Sequence, residues 1–219
     1  MPVARHPQES AAYRAVRDEL QAAEIALRDQ RERVATLRRR LPQDTLVDDY
    51  ALEELRDGAR VPVRLSALFD DPTKPLVVMQ FMFGKRQEKP CPMCTMWADG
   101  YDGVVPHLRR RVNFAVLVAG DAAEIEAWGR SRGWRHVRLV SAAGSTIKRD
   151  LGFEEAGAQH PGVSVFTRRP DGAIVLFYSQ SAWYGGQEFR GMDLLSPVWN
   201  FLDLTPEGRG DFMPSRRYD

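Results

Sequence analysis

The chain is short of cysteine, histidine, net charge and long apolar runs. Each shortage excludes something. Two cysteines in 219 residues rule out a disulfide-stapled scaffold, and a chain of this length buries a core without staples. A formal net charge of +1 excludes a global field aimed at nucleic acid or anionic lipid, so neither is expected as a partner. Two local basic runs, residues 38–40 and 109–111, fall where helix ends are expected, and cations there suit the helix dipole. The most apolar run, residues 76–83, is far short of the ~20 residues of a membrane-spanning helix. Residues 1–10 lack the apolar core of an export signal, so the expected compartment is the cytoplasm. There is no internal repeat. What remains, 43% apolar and 28% charged with five tryptophans, is the composition of a globular protein.

The first segment carries a heptad pattern. Tyr13, Leu20, Leu27, Val34 and Leu41 recur every seventh residue, with Val16, Ala23 and Leu37 three residues on and Gln30 the single break. Pro7 suits a helix start and Pro42 a helix end, which predicts a helix over residues 10–41, ~48 Å long. A domain of about 150 residues is ~30 Å across. The apolar stripe therefore has two possible covers, the chain's own domain or a second copy, and a homodimer through this arm is the expectation carried forward.

Residues 43–60 read as a connector. From Val61 the pattern becomes that of an α/β domain ending near Leu204. A short edge strand comes first, and residues 76–83 then form a strand buried on both faces. A helix over 95–111 leads to a second buried strand over 112–118. Asp121 is positioned to cap a helix through Arg132. A third short strand covers 137–140. Strands at 163–167 and 174–178 flank an Asp171-Gly172 turn, a hairpin signal. Residues 191–204 read as a last helix, with Pro197 forcing a kink or a later start. The tail, 205–219, is polar, with loose order expected unless it wraps the domain. Parallel strands joined by helices demand a mixed sheet covered on both faces.

The two cysteines, Cys91 and Cys94, stand in a loop after the buried strand and open a helix. There the unpaired backbone N–H groups and the dipole favour a thiolate, the attacking species in disulfide exchange. Pro92 fits the first helical turn. Cys91 would be the exposed nucleophile and Cys94, one turn in, the resolving thiol. Lys85 and Lys89 would add positive potential or be simply solvated. A structural zinc site needs four ligands, and only His6, His107, His136 and His160 supply nitrogen, with no second ligand pair at zinc spacing. No metal and no cofactor are expected, His160 being the best extra ligand for a copper- or zinc-binding alternative. Trp97 falls on the helix as core. Trp183 and Tyr184, beside Gly185-Gly186, read as an exposed loop tip and a candidate substrate or partner surface.

Further segments carry a resemblance. The order of 63–69, apolar strand and CxxC helix resembles thioredoxin-like proteins generally, and the stretches 81–84, 91–100, 105–108, 161–166, 178–181 and 202–208 are similar to one bacterial family, labelled domain of unknown function 899 and regarded as predicted dithiol-disulfide oxidoreductases within the thioredoxin-like fold. The likeness covers nearly the whole chain. It implies a thioredoxin-like mixed sheet with a long N-terminal helix, and a thiol or disulfide as substrate. It also implies a cis-proline beside the dithiol, five residues before Phe166: Pro161, with His160 next to it. The pattern departs from thioredoxin itself, which has Trp before the first cysteine and Gly-Pro between the pair; here Pro90 precedes and Pro-Met intervenes, leaving redox direction open. A peroxiredoxin-like peroxidase would need Thr or Ser three residues before its nucleophile, where Glu88 stands before Cys91. A non-catalytic interaction protein built on the heptad arm is the remaining alternative.

Overall fold

A computed structural model describes residues 5–183 and 190–217. The chain divides into two units, Met1–Pro42 and Gln43–Asp219. The first is one helix, α1 (Ala11–Arg39), close to the predicted bounds. Ser10 caps it, its Oγ accepting from the Tyr13 N–H at 3.1 Å.

The second unit opens with β1 (Leu46–Val47), β2 (Ala51–Arg56) and β3 (Ala59–Arg64). The connector expected over 43–60 is therefore mostly strand. Asp57 and Gly58 both take positive φ, 51° and 79°, and join Arg56 to its partner Ala59 as a two-residue hairpin. β3 lies at the sheet edge, where Pro62 leaves no ladder bond broken. A 3₁₀ turn (Leu65–Leu68) leads into β4 (Leu76–Gln80), α2 (Pro92–Leu108), β5 (Asn113–Val118), α3 (Ala122–Arg132) and β6 (Arg138–Ser141). Then come α4 (Ile147–Asp150), the small pair β7 (Glu154–Glu155) and β8 (Ala158–Gln159), β9 (Gly162–Arg168) and β10 (Ile174–Ser181). A second 3₁₀ turn (Asp193–Leu195) precedes α5 (Pro197–Leu202), so the last helix takes the later start that Pro197 demands.

Eight strands form one mixed sheet in the order β1-β10-β9-β4-β5-β6-β2-β3. β4, β5 and β6 run parallel, and β9 joins β4 antiparallel. Alternation along the central strands builds a core on each face. Met79, Phe114, Val116 and Val118 pack with Trp97 and Val105 of α2 and Ile125 of α3. Leu76, Val78, Ala115 and Leu117 pack with Leu65, Leu68 and Ile147 on the other side. This is the thioredoxin-like α/β arrangement, a mixed sheet flanked by helices.

Candidate functional site

The C-terminal end of β4 places the cysteines. Beyond Gln80 the chain still follows β5: the Phe81 N–H donates to Leu117 O (2.9 Å) and the Ala119 N–H to Phe83 O (3.1 Å). It turns at Gly84, φ +92°, where a Cβ would lie 2.2 Å from the Gly120 Cα, so two loop backbones meet there with no room for a side chain. Gly84 and Gln87 exchange hydrogen bonds of 2.8 and 3.0 Å, and the loop returns so that the Cys91 N–H donates to Met82 O at 3.1 Å. Cys91 is the N-cap of α2, Pro92 occupies its first turn, and Cys94 follows inside the helix. The Thr95 hydroxyl donates to the Cys91 carbonyl at 2.9 Å.

Both thiols are free. The nucleophile expected to be exposed is buried: Cys91 is 7% exposed, more open than Cys94, which is fully enclosed. Their acidities separate. A hydrogen bond from the Cys94 thiol holds the Cys91 thiol down at about 6, against the opposing effect of burial; the backbone N–H groups of Cys94 and Met93 and the charge of Arg216 act in the same direction as that bond. Burial pushes Cys94 well up, and its bond to Cys91 and that neighbour's charge add to the rise. Beside it the Tyr101 hydroxyl, itself raised by burial, has no hydrogen-bond partner among the described residues. One thiolate and one retained proton, side by side at a helix start, are what nucleophile and resolving thiol require.

Two participants were invisible in the sequence. Arg216 comes from the tail: its Nε donates to Pro90 O at 2.6 Å, and its own carbonyl accepts from Arg132 Nη1 at 2.9 Å. Arg132 is held by Asp99 on α2 (2.6 Å), which also accepts from Trp134 Nε1 (2.8 Å). The tail therefore wraps the site, the exception allowed for in its reading as loose. The second is Lys148 of α4, 1% exposed. Lone arginines and lysines in a tail or a one-turn helix carry no periodic signal that would mark them.

The remaining sequence-predicted residues meet mixed fates. Trp97 is core, as expected. Lys85 is engaged by Glu154 at 2.5 Å. Pro161 is buried at the start of β9, where neighbouring Gly162 pairs with Gln80, so it stands at the same end of the sheet as the dithiol. The His160–Pro161 bond is trans, since no described peptide bond is cis. The expected cis bond is thus corrected. Trans is the lower-energy isomer of an X–Pro bond, and in this form the Pro161 carbonyl accepts from the Ala182 N–H at 2.9 Å. His160 is half-buried, its N–H bonded to Phe153 O at 3.0 Å. Trp183 is half-buried rather than exposed at a loop tip, with its N–H bonded to Ser181 Oγ at 3.1 Å. Tyr184 lies outside the described residues. Among the described residues no three His, Cys, Asp or Glu side chains come together as a metal site.

The family described as bacterial protein of unknown function (DUF899) matches residues 3–218. The chain belongs to it. No curated protein matches this DUF899 member. Among solved structures, reduced Prx3 of Vibrio vulnificus in complex with H₂O₂ is similar at 15% identity, covering 72% of this chain and 99% of that one, with a TM-score of 0.50. A putative thioredoxin reductase of Burkholderia cenocepacia is 17% identical over 71% of this chain and 95% of its own, TM-score 0.48. Peroxidoxin BcpB of Mycobacterium tuberculosis is 17% identical over 71% and 93%, TM-score 0.47. The likeness to Prx3 is one of fold. No helix among the described residues of the DUF899 chain is long and apolar enough to cross a membrane.

Proposed function

We propose that this DUF899 protein is a thiol–disulfide oxidoreductase acting on a protein or small-molecule thiol or disulfide in the cytoplasm. The observation that carries the reading is the placement of the pair, Cys91 as the N-cap of α2 and Cys94 inside its first turn; the lowering of Cys91 and the raising of Cys94 support it. The Cys91 thiolate attacks one sulfur of a substrate disulfide, a Cys91–substrate S–S bond forms, and the other half leaves as a thiolate that takes a proton from water. Cys94 then gives up its proton and attacks the Cys91 sulfur. The mixed bond breaks, the Cys91–Cys94 bond forms, and the second substrate thiol departs, so two electrons pass from the dithiol to the substrate. The reverse sequence oxidises a substrate dithiol. The low pKa of Cys91 stabilises the reduced enzyme and favours that oxidising direction. The test is redox titration against glutathione, with one two-electron transition expected.

Peroxide reduction fits the residues less well. Glu88 stands where a hydroxyl donor to the nucleophile would be needed, and the Thr95 hydroxyl is taken by the Cys91 carbonyl.

The heptad stripe of α1 supports a homodimer as the working form. Covering one fully buried Leu or Val is worth ~1.5–3 kcal/mol, and Tyr13, Leu20, Leu27 and Val34 repeat the opportunity along one side of α1, with Leu41 just past its end. Light scattering at micromolar concentration should give twice the 24.8 kDa chain mass. A clean monomer with undiminished stability would remove the arm from the assembly and leave the dithiol chemistry untouched.

A further inference from the structure

A lysine in a protein core is costly to keep, because its ammonium loses water and needs partners in exchange. Lys148 is 1% exposed, and its Nζ donates to the Phe81 carbonyl at 3.0 Å. That carbonyl belongs to the same peptide group as the Met82 N–H, which favours the Cys94 thiolate. Lys148 therefore holds the carbonyl end of the peptide group whose N–H end acts on Cys94. The next carbonyl along, Met82 O, accepts from the Cys91 N–H at 3.1 Å. A cation pulling on the carbonyl oxygen polarises the peptide and makes its N–H a stronger donor, a cooperative gain of roughly 10–30% per bond.

Resting on the dithiol reading above, we propose that Lys148 is a positioning residue that acts through the Phe81–Met82 peptide to stabilise the Cys94 thiolate as it forms in the resolving step. In that step the Cys94 S–H proton passes through water to the departing substrate thiolate. The bond between Cys91 and the substrate sulfur breaks as the Cys91–Cys94 bond forms, and no outside oxidant is needed. The other charged and titratable groups around the pair are few. Glu154 faces Lys148 from β7 and favours its ammonium, while Lys85, paired with Glu154, opposes it. Tyr101 lies beside Cys94 and stays neutral, and Arg216 acts on Cys91. Burial draws Lys148 down to about 7, and the Cys94 charge works the other way, so the ammonium is favoured most when the thiolate is present. A methionine of similar length removes the charge and its desolvation penalty, and leaves the Phe81 carbonyl without the Lys148 donor.

The experiment mixes reduced enzyme with a small aromatic disulfide whose thiol is coloured, and follows release of the first and second thiol between about pH 6 and 9. Wild type should release two equivalents. Lys148→Met should release the first at the wild-type rate and the second about tenfold more slowly near neutrality, with its pH midpoint raised by about one unit. Lys148→Arg, which keeps the charge, should restore the midpoint. Lys148→Gln, which keeps a donor to Phe81 without the charge, should behave as Lys148→Met does, so poor folding of one uncharged variant leaves the other to decide. A wild-type midpoint in the folded uncharged variant would overturn this inference alone. Release of a single equivalent by wild type would overturn the dithiol reading and this inference with it.

Discussion

Alkylation of the reduced protein near pH 6 will modify Cys91 and leave Cys94 untouched. Cys91 is half ionised at about pH 6, its thiolate complete above that value and lost as pH falls through it. An ordinary thiol at the same pH is only about 0.3% ionised, so Cys91 presents ~150-fold more thiolate. A less basic sulfur is also a weaker nucleophile, which takes back roughly 10–20-fold across that difference. At equal access the net would be labelling about tenfold faster than a free cysteine; the 7% exposure of Cys91 lowers the rate but keeps a profile that levels off near neutrality, where ordinary thiols are still climbing. Cys94 is fully buried and shifted upward, so it should react only when the fold opens. Peptide mapping after a short pulse of iodoacetamide checks this. Equal labelling, or Cys94 first, would exchange the two roles.

Gly84→Ala will weaken the fold and spoil the site together. Gly84 has φ +92°, and an added Cβ would meet the Cα and N of Gly120 at 2.2 and 2.3 Å, backbone atoms that cannot rotate away. The left-handed backbone costs an L-residue about 1–2 kcal/mol, and overpacking at a tight contact adds about 1–3 kcal/mol. A loss of ~2–5 kcal/mol in a chain of this size corresponds to a fall in melting temperature of roughly 5–20 °C. The loop that must move is the one that returns to put Cys91 against Met82 O, so the variant should also lose the low-pH labelling of Cys91. An unchanged melting temperature together with wild-type labelling would show that the two loop backbones do not meet as described.

How much of this was legible in the sequence depends on whether a residue's role is local. The buried run 76–83, the Asp121 cap, the Asp171-Gly172 hairpin and the cysteines at a helix start all follow from short-range chemistry, and each stands where the pattern put it. The hairpin of β2 and β3 was equally local, marked by Asp57-Gly58, but its strand pattern was disguised. Glu54 sits at an inward position of the alternation, 5% exposed, and is tolerated there because Arg138 and Arg56 bond its carboxylate at 2.6 and 2.7 Å. A charged residue in a core register looks like a surface residue until its partner, 84 positions away, is known. Lys148 hid in the same way, in a run of Ile, Lys, Arg and Asp that reads as an exposed turn of helix. Arg216 reaches Pro90 across 126 positions. Pro161 was singled out by the family resemblance, and a resemblance does not fix the isomer of its peptide bond.

The measurement that tests the central claim most directly is equilibration of the protein in glutathione buffers of graded ratio, followed by thiol trapping and mass analysis of the peptide carrying Cys91 and Cys94. The account predicts one reversible transition involving two electrons and no bound glutathione at either end. Its potential should lie above the about −270 mV of thioredoxin, because the Cys91 thiolate stabilises the reduced form. Two free thiols across the whole range, or a stable glutathione adduct on Cys91 that Cys94 never displaces, would contradict it.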